Sequence, residues 1–177
     1  GRHYSRLMPS GPNEFETELQ ELARRFRENA ASLHPRAPLY AELSKGIAAD
    51  PELHGLLAHA PIDQRLPVLL FACVHASLLG DAHHALAAWY PNLTDSPRSP
   101  VDPALIATFR DFVADRAPEI KLMLATRKTQ TNEVARCLML LIGFGRIADE
   151  VGPMTHLDVG CSGGLTLFSD QFHYRYE

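Results

Sequence analysis

The chain has 177 residues, with 17 Lys and Arg against 21 Asp and Glu, and a formal net charge of −4. Hydrophobic residues make up 46% and charged residues 21%, a balance that excludes a mainly disordered chain and fits an ordinary globular domain. The acidic surplus offers no field for a phosphate backbone, and the longest apolar run, Val68 to Val74, is far short of the ~20 residues that cross a bilayer; neither nucleic acid nor membrane is an expected partner.

Residues 1–12 have no periodicity and read as a disordered or tag-derived tail. Asn13 is a good cap type with Glu16 at the third helical position, which predicts a capping box and a helix start there. Phe15, Leu19, Leu22, Phe26, Ala30 and Leu33 then recur at steps of three and four, one apolar stripe that ends at Pro35 and Pro38. Leu39, Tyr40, Leu43 and Ile47 mark a second helix, and Asp50-Pro51 a new start with Asp as cap and Pro in the first turn. Leu66 to Leu79 is apolar nearly all round and predicts a buried central helix. Ala82 to Trp89 predicts a further short helix, with Trp89-Tyr90-Pro91 packed at its end and the Tyr90 hydroxyl in water. The segment from Pro91 to Pro103, rich in Pro, Asn, Asp and Ser, is the longest loop and the strongest internal break. Asp102-Pro103 and Pro118 each start a helix, and Asn132 to Ala148 predicts another, with Val134, Leu138, Leu141, Ile142 and Ile147 inward.

The pattern changes after Gly152-Pro153. His156 to Val159 reads as a short strand, Gly160 to Gly164 as a glycine loop, and Leu165 to Phe172 as a helix, the order that opens a nucleotide-binding α/β unit. The expected fold is therefore mainly α: a helical N-terminal domain of roughly seven or eight helices over 13–150, then over 151–177 the first strand and helix of a Rossmann-like α/β unit, apparently truncated. A lone strand leaves its backbone groups without partners, so it is expected to pair with another copy by self-association through the C-terminal strand, to pack irregularly, or to be incomplete here.

Three widely spaced cysteines, Cys73, Cys137 and Cys161, suggest no disulfide framework. With no secretory segment at the start, the expected location is the cytoplasm. His75 on the apolar helix reads as a hydrogen-bonded core residue. His83 and His84 point to different faces with no ligand type at metal spacing, so no metal site is expected.

The stretch Asp158-Val159-Gly160-Cys161-Ser162-Gly163-Gly164 carries the most chemistry. Gly160 permits a tight turn, Gly164 permits close approach of a ligand or sheet, and a following helix N-terminus would offer N–H groups to a carboxylate. The stretch resembles the first motif of class I S-adenosylmethionine-dependent methyltransferases, with Ser162 in place of the usual middle glycine. That resemblance implies S-adenosylmethionine as cofactor and Asp158, Gly160, Ser162 and Gly164 at its binding site. The same residues also match the nucleophile elbow of serine hydrolases, with Ser162 as nucleophile. Only Asp170 and His173 follow, three residues apart, a spacing that cannot build a triad around Ser162.

Arg127, Gln130, Thr131, Asn132, Glu133 and Arg136 crowd polar groups at a break before an apolar helix. Capping accounts for Thr131 or Asn132 and for Glu133 near the helix start. On the functional reading Glu133 is a general base, and Arg127, Gln130, Asn132 and Arg136 bind a polar or anionic substrate.

The apolar run Pro67–His75, His84–Pro91, Thr126–Arg136 with its Thr-Gln-Thr-Asn-Glu core, the glycine loop and Asp170–Tyr176 occur in an order that resembles a bacterial family catalogued as domain of unknown function 2332. The resemblance runs from about Phe15 to the last residue. It implies a longer protein whose sheet continues past the glycine loop, and alanine is usual there at the positions of Cys161 and Gly163. The expected function is a methyltransferase-like protein acting on an unknown small molecule, inactive in so short a form. The alternatives are a non-catalytic helical interaction or assembly module and a serine hydrolase using Ser162.

Overall fold

Prolines mark most of the helix starts, because a residue without an N–H costs nothing in the first turn. The computed structural model describes residues 12–34, 36–129, 134–161 and 163–175. Helix α1 spans Pro12–Leu33, α2 Pro38–Ala48, α3 Pro51–Gly55, α4 Pro67–Leu79, α5 Ala104–Asp115, α6 Ala117–Thr126 and α7 Cys137–Val151. Short 3₁₀ turns fill the gaps at Leu56–His59, Ile62–Gln64, Ala85–Trp89, Val134–Arg136 and Leu165–Gln171. The fold is mainly helical, and among the described residues there is no strand. The chain divides into two compact units, 1–129 and 130–177.

In the first unit α1 packs along α2 and α3, and α4 packs against α6. Phe26, Leu43, Ile47, Leu70, Val74 and Phe109 are wholly buried in its core. The helix start expected at Asn13 is one residue late. The helix takes up Pro12, and the Asn13 carbonyl accepts a hydrogen bond from Thr17 Oγ1 at 2.8 Å inside the first turn. The predicted cap at Asp50 is present: its Oδ1 accepts from the N–H of Glu52 at 3.0 Å and of Leu53 at 3.3 Å. Gly46 on α2 lets α5 come close. A Cβ at that position would stand 2.6 Å from both Cγ1 and Cδ1 of Ile106.

Three expectations in this unit need correction. Helix α4 is not buried all round. Leu69, Leu70, Phe71, Cys73, Val74 and Leu78 face the core, whereas Val68, Ala72, Ala76 and Leu79 lie on the surface. Their spacing puts them on one side of the helix, so uniform hydrophobicity hides a surface that the periodicity cannot distinguish. The Tyr90 hydroxyl is not in water either. Tyr90 is 1% exposed, and its hydroxyl has no hydrogen-bond partner among the described residues. Burial pushes that hydroxyl up from its ordinary value. The helix expected over Ala82–Trp89 shortens to the 3₁₀ turn, whose cap is His84: its Nδ1 accepts from the Leu86 N–H at 3.1 Å.

The proline-rich loop after Tyr90 is folded back rather than left as an open linker. Arg98 lays its guanidinium 4.2 Å from the Trp89 ring centre and donates its backbone N–H to the Ala88 carbonyl at 2.8 Å. Trp89 Nε1 donates to the Ser99 carbonyl at 3.1 Å.

In the second unit the helix expected over 132–148 runs from Cys137 to Val151. Cys137 is buried, but Ile142 and Ile147, expected inward, are 52% and 48% exposed. The expected strand at 156–159 has no regular structure. A strand exists only through hydrogen bonds to a neighbour, and no described segment pairs with it. Leu157 and Val159 are 83% and 89% exposed, so the apolar side of the run is left outward while Asp158 is half-buried. The Rossmann-like opening unit is therefore not present as a strand followed by an α-helix.

Candidate functional site

The glycine loop begins at Asp158 and is set by two backbone turns that L side chains rarely adopt. Gly160 has φ +83° and Gly164 has φ +74°. A Cβ built on Gly160, Gly163 or Gly164 would meet nothing within 4 Å, so glycine is demanded by φ at two of these positions rather than by crowding. The Gly164 N–H donates to the Cys161 carbonyl at 2.8 Å and closes the turn. Ser162, the expected cofactor or nucleophile position, lies outside the described residues.

Asp158 is anchored. Its Oδ2 accepts a hydrogen bond from Oγ1 of Thr166, a buried residue on the turn that follows the loop. This pairing ties the two ends of the loop together and leaves the second carboxylate oxygen of Asp158 for another donor. Thr166 was invisible as a site residue, since a threonine eight positions downstream carries no motif signal.

The element after the loop also differs from expectation. Leu165–Gln171 is a 3₁₀ turn of seven residues interrupted at Phe168, not an α-helix. A short, interrupted 3₁₀ segment aligns fewer peptide dipoles than the α-helix on which the carboxylate-binding expectation relied. Of the residues the hydrolase reading would use, Asp170 accepts a hydrogen bond from Gln171 Nε2 at 2.7 Å, and His173 is exposed on the segment beyond.

Of the polar segment, Gln130, Thr131, Asn132 and Glu133 lie outside the described residues. Arg127 caps the end of α6, donating its backbone N–H to the Met123 carbonyl at 2.8 Å. Its positive charge partly offsets the upward push that burial gives the Cys73 thiol. Arg136 is exposed at the start of α7. Thr129 donates its N–H to Gln64 Oε1 at 2.9 Å, a contact that the sequence gives no means to find.

His75 sits beside Tyr90, with ring centres 4.9 Å apart, and its Nε2 lies 3.1 Å from Asn92 Nδ2. Among the described residues no group of three or more His, Cys, Asp or Glu side chains could hold a metal ion. No described helix is long and apolar enough to cross a membrane.

These features define a mainly helical protein that carries one glycine loop with an anchored carboxylate. Residues 23–177 match the family described as "Uncharacterized protein conserved in bacteria (DUF2332)". The match covers most of the chain, and the chain belongs to that bacterial family. No curated protein and no solved structure matches it.

Proposed function

We propose that the protein is an S-adenosylmethionine-dependent methyltransferase-like protein acting on a small molecule, with the glycine loop at the cofactor end. The observation that carries this reading is the pair of positive φ values at Gly160 and Gly164, the backbone path a cofactor-cradling turn needs. The loop fits the group in one further respect, since the space beside Gly160, Gly163 and Gly164 is open. Asp158, Gly160, Ser162 and Gly164 would hold the cofactor, which supplies an activated methyl group when bound. Thr166 fixes the orientation of Asp158, so the free carboxylate oxygen has a defined direction. Glu133 is the candidate base.

Calorimetric titration with S-adenosylmethionine tests the proposal. Heat of binding is expected from the native chain, and none from Gly160→Val, which forces a branched side chain onto φ +83°. A native chain that gives no heat overturns the proposal. A fluorophosphonate probe that labels Ser162 would favour the hydrolase instead.

A further inference from the structure

The turn Ala85–Trp89 begins on a hydrogen bond whose direction is fixed. The Leu86 backbone N–H can only donate, so Nδ1 of His84 accepts, and the imidazole is neutral with its proton on Nε2. A second proton goes to Nδ1 and sets two donors against each other. Turning the ring over does not restore the bond, because Cδ2 carries a hydrogen as well. Leu86 is wholly buried, so its N–H finds no water while the turn stays closed. His75, the other histidine beside this segment, is held differently. Its Nε2 lies 3.1 Å from Asn92 Nδ2, and a side-chain amide can rotate to offer Oδ1 to a protonated ring. A backbone N–H has no such alternative.

The groups about His84 leave room for the added charge. Its ring meets Phe112 on α5 edge-on, with centres 4.8 Å apart, and the Arg116 guanidinium lies 5.9 Å from the centre of the same Phe112 ring. Against that one cation stand two carboxylates, Asp81 on the segment before His84 and Glu119 on α6, and Arg116 pairs with both. His83, next in the chain, is exposed, and His84 itself is half-buried, open to protons from solvent. The turn in its place holds the proline-rich segment. The Ala88 carbonyl accepts the Arg98 N–H at 2.8 Å, and Trp89 Nε1 donates to the Ser99 carbonyl at 3.1 Å. Trp89 is buried under Arg98.

We propose that His84 is a pH-sensitive latch: neutral, it caps the turn Ala85–Trp89 and keeps the segment 91–103 closed over Trp89; protonated, it lets go of Leu86 and the segment opens. The latch is closed above the ordinary imidazole range and is released as pH falls through it, from about pH 7.5 to about pH 5. Asp102, which pairs with Arg98 in the same segment, keeps its charge across this window, because the Ala104 N–H holds its carboxyl below the ordinary value.

Trp89 is the chain's one tryptophan, so its fluorescence reports the latch. Acrylamide quenching of the whole chain is expected to rise at least about twofold between about pH 7.5 and about pH 5. His84→Asn keeps a capping acceptor that does not titrate there, and should hold quenching low at both pH values. His84→Ala lacks the acceptor and should quench strongly at both. His75→Gln should keep the native response. Far-ultraviolet circular dichroism at each pH separates opening of the latch from global unfolding. Quenching of the native chain that does not change with pH overturns the proposal, as does a rise that comes only with loss of helix content. So does a response that survives in His84→Asn or vanishes in His75→Gln, or a His84→Ala chain that behaves as the native one.

Discussion

At the scale of single residues, the first unit depends on a few positions where chemistry and geometry coincide. Asp50 caps α3 and also pairs with Arg110 on α5. Asp50→Asn keeps an acceptor for the cap but loses the charge pair, whereas Asp50→Ala loses both. Urea denaturation should show a cost of about 1–2 kcal/mol for Asp50→Ala and a smaller one for Asp50→Asn. Gly46 offers a second test. Gly46→Val drives methyl groups into Ile106, and an overpacked contact of this kind costs about 1–3 kcal/mol. The loss should shrink in an Ile106→Ala background, which a double-mutant cycle measures. Tyr90 presents the opposite case. Its hydroxyl is buried without a partner among the described residues, so Tyr90→Phe should leave stability unchanged or raise it by up to about 1 kcal/mol. A clear loss in the same denaturation assay would contradict that reading.

At the scale of elements, helices were legible wherever a cap or proline coincided with a one-sided apolar stripe. Asp50-Pro51 and Asp102-Pro103 are such cases: the Asp50 side chain caps α3, and Asp102 Oδ1 accepts from the Ala104 N–H at 2.9 Å. Which side of an apolar helix is buried was not legible in α4 or α7, because the residues that decide it lie on other elements. The strand at 156–159 failed for a related reason: its local pattern was suitable, but a strand is a relation between two segments. On α1, Arg24 and then Arg25 hydrogen-bond Glu21 and hold its carboxyl down at about 2, below the usual 4.5. A lowered carboxyl stabilises the fold above its unfolded value, so this contribution is present above about pH 4.5 and is lost as pH falls toward 2. The group lies at the surface, so salt weakens the effect. Glu21→Gln should flatten the fall in stability across that window, as read by denaturation at stepped pH.

At the scale of the whole molecule, the described chain is two units with different characters. The core from Leu22 to Leu124 lies wholly within the first. A fragment ending at Thr129 should therefore unfold in one cooperative transition, with Phe26, Ile47, Leu70 and Phe109 still mutually buried; a gradual melt in calorimetry would contradict this. The second unit buries little, and it carries the glycine loop. The loop's glycines were legible, since a left-handed turn admits few other residues. The Thr166 anchor of Asp158 was not, because a contact across a loop leaves no periodic trace.

The decisive property of that loop is whether it receives S-adenosylmethionine. Ultraviolet crosslinking of the radiolabelled cofactor, followed by peptide mapping, asks this most directly. The label should be found in the peptide containing Asp158 to Gly164 and should disappear with excess unlabelled cofactor. Label confined to peptides of residues 12–129, or no competable label at all, would contradict the central claim.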